Sequence, residues 1–355
     1  MALSAKRSPR AFIYKAGVRV QGTILACDAT SGSDLIFLSH AEALDARAAR
    51  ALPRPRHGRR QILTTDTTLS LLGAPGERLR AHALLAGFGR PFALGELRLE
   101  LFASGHAPGA ASVLCERPAG MGAARVVYAG VVGPGDTAAV RPADALCLDA
   151  TFGARRFAFP PVAEALAEVC RLVLEALARG RAPLVFVDTP GSALAVATAL
   201  TEAGVPVRGA RAVLQAAAAY ARAGVTTPPQ QRLDGRLRRG EALLWPPDAR
   251  AATQLGRLEA PTTILASGRA ADPAEVARAR ADHSVALTDR AGFFELLRYA
   301  LATGAREVAL MRAPGDELAR ALAERGVEAY PLGPPRQIAL FAAPAEITAH
   351  VVSAG

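Results

Sequence analysis

The chain has 355 residues, 51% of them hydrophobic, enough to bury a full core in two domains or in one domain carrying a large insertion. Its formal net charge of +10 favours a polyanionic partner such as nucleic acid, and every apolar run falls short of the roughly 20 residues of a membrane span, so no membrane partner is expected. The start, MALSAKRSPR, is basic but lacks the apolar segment of a secretory signal, and a cytoplasmic location is the expectation.

In chain order, the first half reads as short strands separated by turns, at 11–15, 18–27, 35–38, 97–103, 111–116, 125–128 and 145–148. From Pro161 the pattern changes. A helix at 162–179, a strand at 183–187, a helix at 191–203, a strand at 205–207 and a helix at 210–223 make a βαβ-type succession with a parallel sheet. Thr226-Thr227-Pro228-Pro229 and Trp245-Pro246-Pro247 read as loops, and the alanine-rich runs 215–220 and 274–281 as helix. The tail alternates strands at 263–266, 285–287, 307–311 and 337–341 with helices at 293–302 and 314–325. No internal repeat is visible.

Cys27, Cys115, Cys147 and Cys170 are far apart and mostly flanked by apolar residues, as reduced, buried thiols are. All but two of the 42 basic residues are arginine, a bias that a GC-rich genome produces as readily as selection for DNA binding. The local clusters, 54–60 and 232–239, are the sharper signal, although a charge run also serves as a solvated surface.

The segment most suggestive of chemistry is Phe37 to Asp45, FLSHAEALD. An apolar strand runs into Ser39-His40, the setting in which two-metal hydrolases carry His-x-His-x-Asp-His. Here the frame reads His40-Ala41-Glu42-Ala43-Leu44-Asp45. Six further stretches lie at strand ends, the first just before this segment and five after it. They are Asp28 in CDAT, Ser104 to Ala111 (SGHAPGAA), Tyr128-Ala129-Gly130-Val131, Asp149-Ala150-Thr151-Phe152-Gly153, Leu287 to Phe293 (LTDRAGF) and Met311-Arg312-Ala313.

In that order the motifs resemble those of the metallo-β-lactamase-fold nucleases, specifically the ligase-associated DNA exonuclease branch related to the β-CASP RNA-processing enzymes. The resemblance spans nearly the whole chain. It implies an α/β fold, a metallo-β-lactamase αββα sandwich over 1–160 and 283–355, with a β-CASP-like α/β insertion over 161–282. In that family two divalent metals clamp the scissile phosphate and activate a water. Carried over residue by residue, the first metal site keeps His40 and His106, has Glu42 for a histidine, and has Val131 where the bridging carboxylate belongs. The second has Leu44 for Asp, Asp45 for His, Val131 again, and Arg312 for the late His. Arg290 replaces the histidine implied to bind the scissile phosphate or to protonate the leaving group.

Two-metal catalysis is therefore expected to be lost, leaving Asp28, Asp45 and Asp149 as remnants. Asp28 and Asp149 are implied to orient metal ligands, or to pair with the incoming arginines. Arg290 and Arg312 either hold a phosphate in place of the metals, or form salt bridges with Asp45 or Asp149. His40, Glu42 and His106 remain a two-histidine-one-carboxylate set for a single zinc, manganese or iron ion, opposed by the positive charge of both arginines and by the missing ligand at Val131. The expectation is no cofactor, with that single ion as the alternative.

The favoured function is a catalytically degenerate exonuclease relative, binding nucleic acid or working as the partner of an active nuclease, helicase or DNA ligase. The alternatives are a single-metal phosphodiesterase using His40, Glu42 and His106, and a structural protein without a nucleic-acid role. Asp188-Thr189-Pro190-Gly191-Ser192 could receive a phosphate at a helix N-terminus, but it lacks the ending of a phosphate-binding loop. Ser267-Gly268-Arg269 reads as an ordinary turn.

Overall fold

Period-two alternation divides the apolar side chains of the first half between two faces. The structure, a computed structural model, describes residues 10–31, 33–43, 61–118, 122–234, 236–249 and 251–334. Asp45, the arginine cluster 54–60 and the strand expected at 337–341 lie outside the described residues.

The first sheet contains β1 (Phe12–Tyr14), β2 (Val18–Val20), β3 (Leu25–Cys27), β4 (Leu35–Phe37), β5 (Gln61–Thr64) and β6 (Ala83–Leu85), in chain order across the sheet. Two short helices, α1 (Asp66–Leu72) and α2 (Ala74–Leu79), link β5 to β6. The expected strand 18–27 is two strands. Thr23 donates through its hydroxyl and its backbone N–H to the Val20 carbonyl, and Gly22 takes φ +76°, so the chain turns and β3 returns antiparallel to β2.

The second sheet has the order β19 (Glu328–Leu332), β18 (Glu307–Met311), β11 (Ala145–Asp149), β10 (Arg125–Gly130), β9 (Ala111–Glu116), β8 (Leu97–Ala103), β7 (Phe92–Leu94). In the chain, its first five strands run from β7 to β11. After it come α3 (Val162–Ala178), β12 (Ala182–Val187), α4 (Pro190–Glu202), β13 (Val207–Gly209), α5 (Arg211–Arg222), β14 (Gln230–Arg232), β15 (Ala242–Trp245), β16 (Pro261–Ala266), α6 (Pro273–Ala279) and β17 (His283–Val285). These six strands form a third, all-parallel sheet, β14-β13-β15-β12-β16-β17. Trp245, expected in a loop, ends a fully buried strand; the prolines that suggested a loop begin one residue later. The chain then returns through α7 (Phe293–Ala302), β18 (Glu307–Met311), α8 (Glu317–Ala323) and β19 (Glu328–Leu332), the last an edge strand that tolerates Pro331.

The core follows from the alternation. Leu35 and Phe37 face the second sheet, whereas Ile36 and Leu38 face Leu69 and Leu79 of α1 and α2. Cys147, Ala309 and Met311 join the layer between the two sheets, while Leu146, Leu148, Val308 and Leu310 pack on Phe293, Leu296, Leu318 and Leu322 of α7 and α8. Two sheets thus face one another, each with helices on its outer side. The third sheet buries its own core against α3, α4 and α5, where Val169, Leu172, Val173 and Ala176 supply the inward stripe of α3. The protein is a mixed α/β chain, with three sheets among the described residues.

Candidate functional site

The loops that follow β3, β4, β8, β10, β11 and β18 meet at one end of the paired sheets, and the residues singled out by motif lie on them. Backbone hydrogen bonds lock these loops together. Asp28 N–H donates to the Phe37 carbonyl at 2.8 Å, Ala111 N–H to Ser39 at 2.8 Å, and Ala150 N–H to Met311 at 2.7 Å. Gly109, at φ +76°, packs so close to α1 that a Cβ there would lie 2.5 Å from Thr67 Cβ, and its carbonyl accepts from the hydroxyls of Thr65 and Thr68. That clamp sets the turn carrying His106. Gly130, at φ +61°, sits at a register shift between β10 and β11, just before Val131.

Asp28 is the hub of the first half of the site. Its carboxylate accepts from the Ser39 N–H at 2.8 Å, the Ser39 hydroxyl at 2.6 Å and the Tyr128 hydroxyl at 2.7 Å. Burial raises its pKa, against the lowering effect of these donors. Because the Ser39 hydroxyl proton points to Asp28, Ser39 Oγ accepts from Nδ1–H of His40, 2.8 Å away. His40 is buried, and burial, reinforced by the charges of His106, Arg290 and Arg312, drives its pKa well below the ordinary value, so the ring is neutral.

His106 crosses His40 edge to face, ring centres 5.0 Å apart. Its Nδ1 lies 3.1 Å from the Asp289 carbonyl, which assigns the proton to that nitrogen. Its Nε2 lies 3.8 Å from Glu42 Oε2, too long for a hydrogen bond, and is buried without a hydrogen-bond partner. Burial disfavours protonation of His106, but Glu42 and then Asp289 outweigh it and raise the pKa. The two imidazoles are therefore pushed in opposite directions.

Asp149 and Arg312 form the other half. Asp149 is buried and accepts from the Thr151 N–H at 2.8 Å and the Thr151 hydroxyl at 2.5 Å, while Arg312 Nε lies 2.7 Å from its Oδ2. Burial opposes the charge of Arg312, but Asp149, followed by Tyr128 and Asp28, raises its pKa. Asp28 and Arg312 both have left-handed backbones, φ +47° and +55°. Such strain costs about 1–3 kcal/mol per residue and persists only where the surroundings enforce it. A cavity of roughly 710 Å³ opens beside Asp28, Tyr128 and Arg312.

Arg290 is only partly exposed and stands 4.0 Å from Asp289, its own neighbour in sequence. Asp289 joins the site to the third sheet. Thr189, after β12, donates its hydroxyl to Asp289 Oδ2 at 2.6 Å and caps α4 by accepting from Ser192 N–H. The N-terminus of α4, the Asp188-Thr189-Pro190 motif, thus already has a carboxylate beside it. A second cavity of roughly 800 Å³, lined by His106, Asp289, Phe159, Pro161 and Ser192, lies along this junction. Sequence reading assigns no role to Ser39, Tyr128, Thr189 or Asp289; the only signal was that all four sit inside the quoted motifs.

The described residues do not fit a two-metal centre. Val131 is buried and offers no donor, and Arg312 directs a cation at the Asp149 carboxylate. Among the described residues no three His, Cys, Asp or Glu side chains converge as a metal-binding group.

Fold and site define a mixed α/β protein in which buried His40, His106 and Asp149 gather with Asp28 and two more exposed arginines at the carboxyl ends of its strands. No family model matches the chain. It is similar to a protein named "Probable DNA ligase" from Opitutus terrae, 28% identical over 198 residues, which are 56% of this chain and 20% of that protein. The match thus spans one fifth of that curated relative's length. The fold is similar to the crystal structure of a protein of unknown function from Enterococcus faecalis V583, with a TM-score of 0.56 and 14% identity, covering 83% of this chain and 78% of that one. At that identity the likeness is one of fold. No helix among the described residues is long and apolar enough to cross a membrane.

Proposed function

We propose that the chain is a degenerate relative of the metallo-β-lactamase-fold DNA exonucleases, a sandwich of the two facing sheets with a β-CASP-like insertion, and that it binds nucleic acid without cleaving it. The observation that carries this reading is Arg312. By the motif resemblance it stands in for the late metal-binding histidine, and its guanidinium lies 2.7 Å from Asp149, which supports a positive charge taking over from a bound cation. A guanidinium can grip phosphate oxygens but has no Lewis acidity to activate water. The similarity to a protein named for DNA ligation supports DNA as the polyanion, and a place beside an active nuclease, helicase or ligase.

The test is single-stranded DNA binding across a salt series, with the wild type and an Arg290→Ala/Arg312→Ala variant, alongside a nuclease assay with zinc, manganese and magnesium. The expected result is weaker binding and a shallower salt slope in the variant, with no cleavage by either. Unchanged affinity and slope would remove the pocket from the reading.

One observation favours a second reading, a single-metal phosphodiesterase: Nε2 of His106 is buried without a hydrogen-bond partner and faces Glu42. Stoichiometric zinc, manganese or iron in purified protein, lost on His106→Ala, would replace the first reading with this one.

A further inference from the structure

The arginine cluster at 232–239 is not used by the pocket. It lies at the opposite end of the third sheet, where β12, β15 and β16 begin at Ala182, Ala242 and Pro261. The parallel order brings three segments, distant in sequence, around one depression of roughly 290 Å³. Each segment contributes arginine: Arg181 from the first, Arg236, Arg238 and Arg239 from the second, and Arg257 from the third. All five are exposed.

Two carboxylates share the rim and neutralise little of this charge. Glu241 is buried and already held by Arg208 at 2.7 Å and by the Arg238 N–H at 2.9 Å. Glu259 reaches Arg236 at 3.8 Å, with both side chains almost fully exposed, where water screens an ion pair to little effect. Arg238, Arg239 and Arg257 have no carboxylate within ion-pair distance among the described residues. Convergence of this kind raises the local potential and costs self-repulsion that a bound polyanion relieves.

We infer that this face binds the phosphodiester backbone of a nucleic acid, independently of base sequence and independently of the pocket. Guanidinium forks match phosphate oxygens. Among the described residues no aromatic side chain lines the depression, so they offer neither the anchor typical of a protein interface nor a platform for stacking bases. Strand β12 runs from this face to Asp188-Thr189 at the junction with Asp289, and its six residues measure about 20 Å. A nucleic acid touching both regions would span roughly six base pairs of duplex rise.

The test uses the full chain and a fluorescently labelled DNA duplex of mixed sequence, titrated across a salt series. An Arg238→Ala/Arg239→Ala/Arg257→Ala variant alters only exposed side chains, and thermal melting checks that it stays folded. Its affinity should fall about tenfold, with the log–log salt slope shallower by about 2 to 3, from three lost phosphate contacts at roughly 0.9 each. The Arg290→Ala/Arg312→Ala variant keeps that share of the slope, so failure of the pocket reading and failure of this inference give different results. Wild-type affinity and slope in the triple variant would overturn the inference, as would absence of DNA binding by the wild type. Displacement of the duplex by polyglutamate of equal charge, as effectively as by unlabelled duplex, would reassign the face to an acidic protein.

Discussion

Arg312 and Asp149 meet at the carboxyl ends of neighbouring parallel strands, Nε 2.7 Å from Oδ2, with the arginine backbone held at φ +55°. Asp149 pairs with Met311 in the ladder, so the residue after Met311 is the one that can turn its side chain across to the carboxylate. The pair joins an almost fully buried carboxylate to a guanidinium that is 59% exposed.

Removing the arginine should therefore cost stability by stranding the acid. Arg312→Ala is expected to destabilise by about 1–3 kcal/mol, below the full cost of breaking a buried pair because water reaches the arginine and Thr151 still donates twice to Asp149. Denaturant unfolding of Arg312→Ala, Asp149→Asn and the double variant checks this. The double variant should recover part of the loss; simple additivity would show that the two residues do not interact.

Tyr128, whose ring is buried between the two sheets, reaches Asp28 with its hydroxyl at 2.7 Å. Tyr128→Phe removes one of three donors to the carboxylate with almost no change of shape, and should cost about 1.5–3 kcal/mol. A midpoint shift equivalent to less than about 0.5 kcal/mol would mean that Ser39 alone satisfies the acid.

The two histidines predict opposite pH effects. His40 has a folded pKa below its unfolded value, so acid protonates the unfolded chain first, and stability falls as pH drops below about 6.5. His106 has a folded pKa above its unfolded value. Its contribution is complete below about pH 6.5 and is lost as pH rises through the folded pKa. Relative to wild type, His40→Asn should lose less stability between pH 7 and pH 5, and His106→Asn should lose more, as read from unfolding midpoints across that range. The reverse ordering would contradict the assignment of the charges around the two rings.

Gly109→Ala should be destabilising although it adds a single methyl group. The new Cβ would lie 2.5 Å from Thr67 Cβ and 2.8 Å from Thr68 N, on a backbone at φ +76°. A cost of about 2–4 kcal/mol follows from strain plus the contact with α1. Thermal melting measures it, and an unchanged melt would show that the turn does not depend on that contact.

Much of the architecture was legible in the sequence because it is periodic and local. Strands at 97–103, 111–116 and 307–311 and the helix at 293–302 were read with the bounds the structure has, since each is an apolar-rich run bounded by glycine or charged residues. The region 61–94 was missed. Its strands are three or four residues long, and Gly73 divides its helices, so no window carries a full period. Strand β15 escaped because the prolines after Trp245 outweighed four buried residues.

The residue types at the site were likewise set by sequence alone: Val131 cannot ligate a metal and Arg312 cannot replace a histidine as a ligand in any fold. Which groups meet was decided only by tertiary structure. Asp28 to Tyr128, His106 to Asp289, Thr189 to Asp289 and Asp149 to Arg312 are all separated by 100 residues or more. Sheet order places those strand ends side by side, and pairings at such distances leave no periodic trace in the chain. The same holds for the basic face, where the arginines near 236 were visible as a run, but parallel packing of β12, β15 and β16 brought Arg181 and Arg257 beside them.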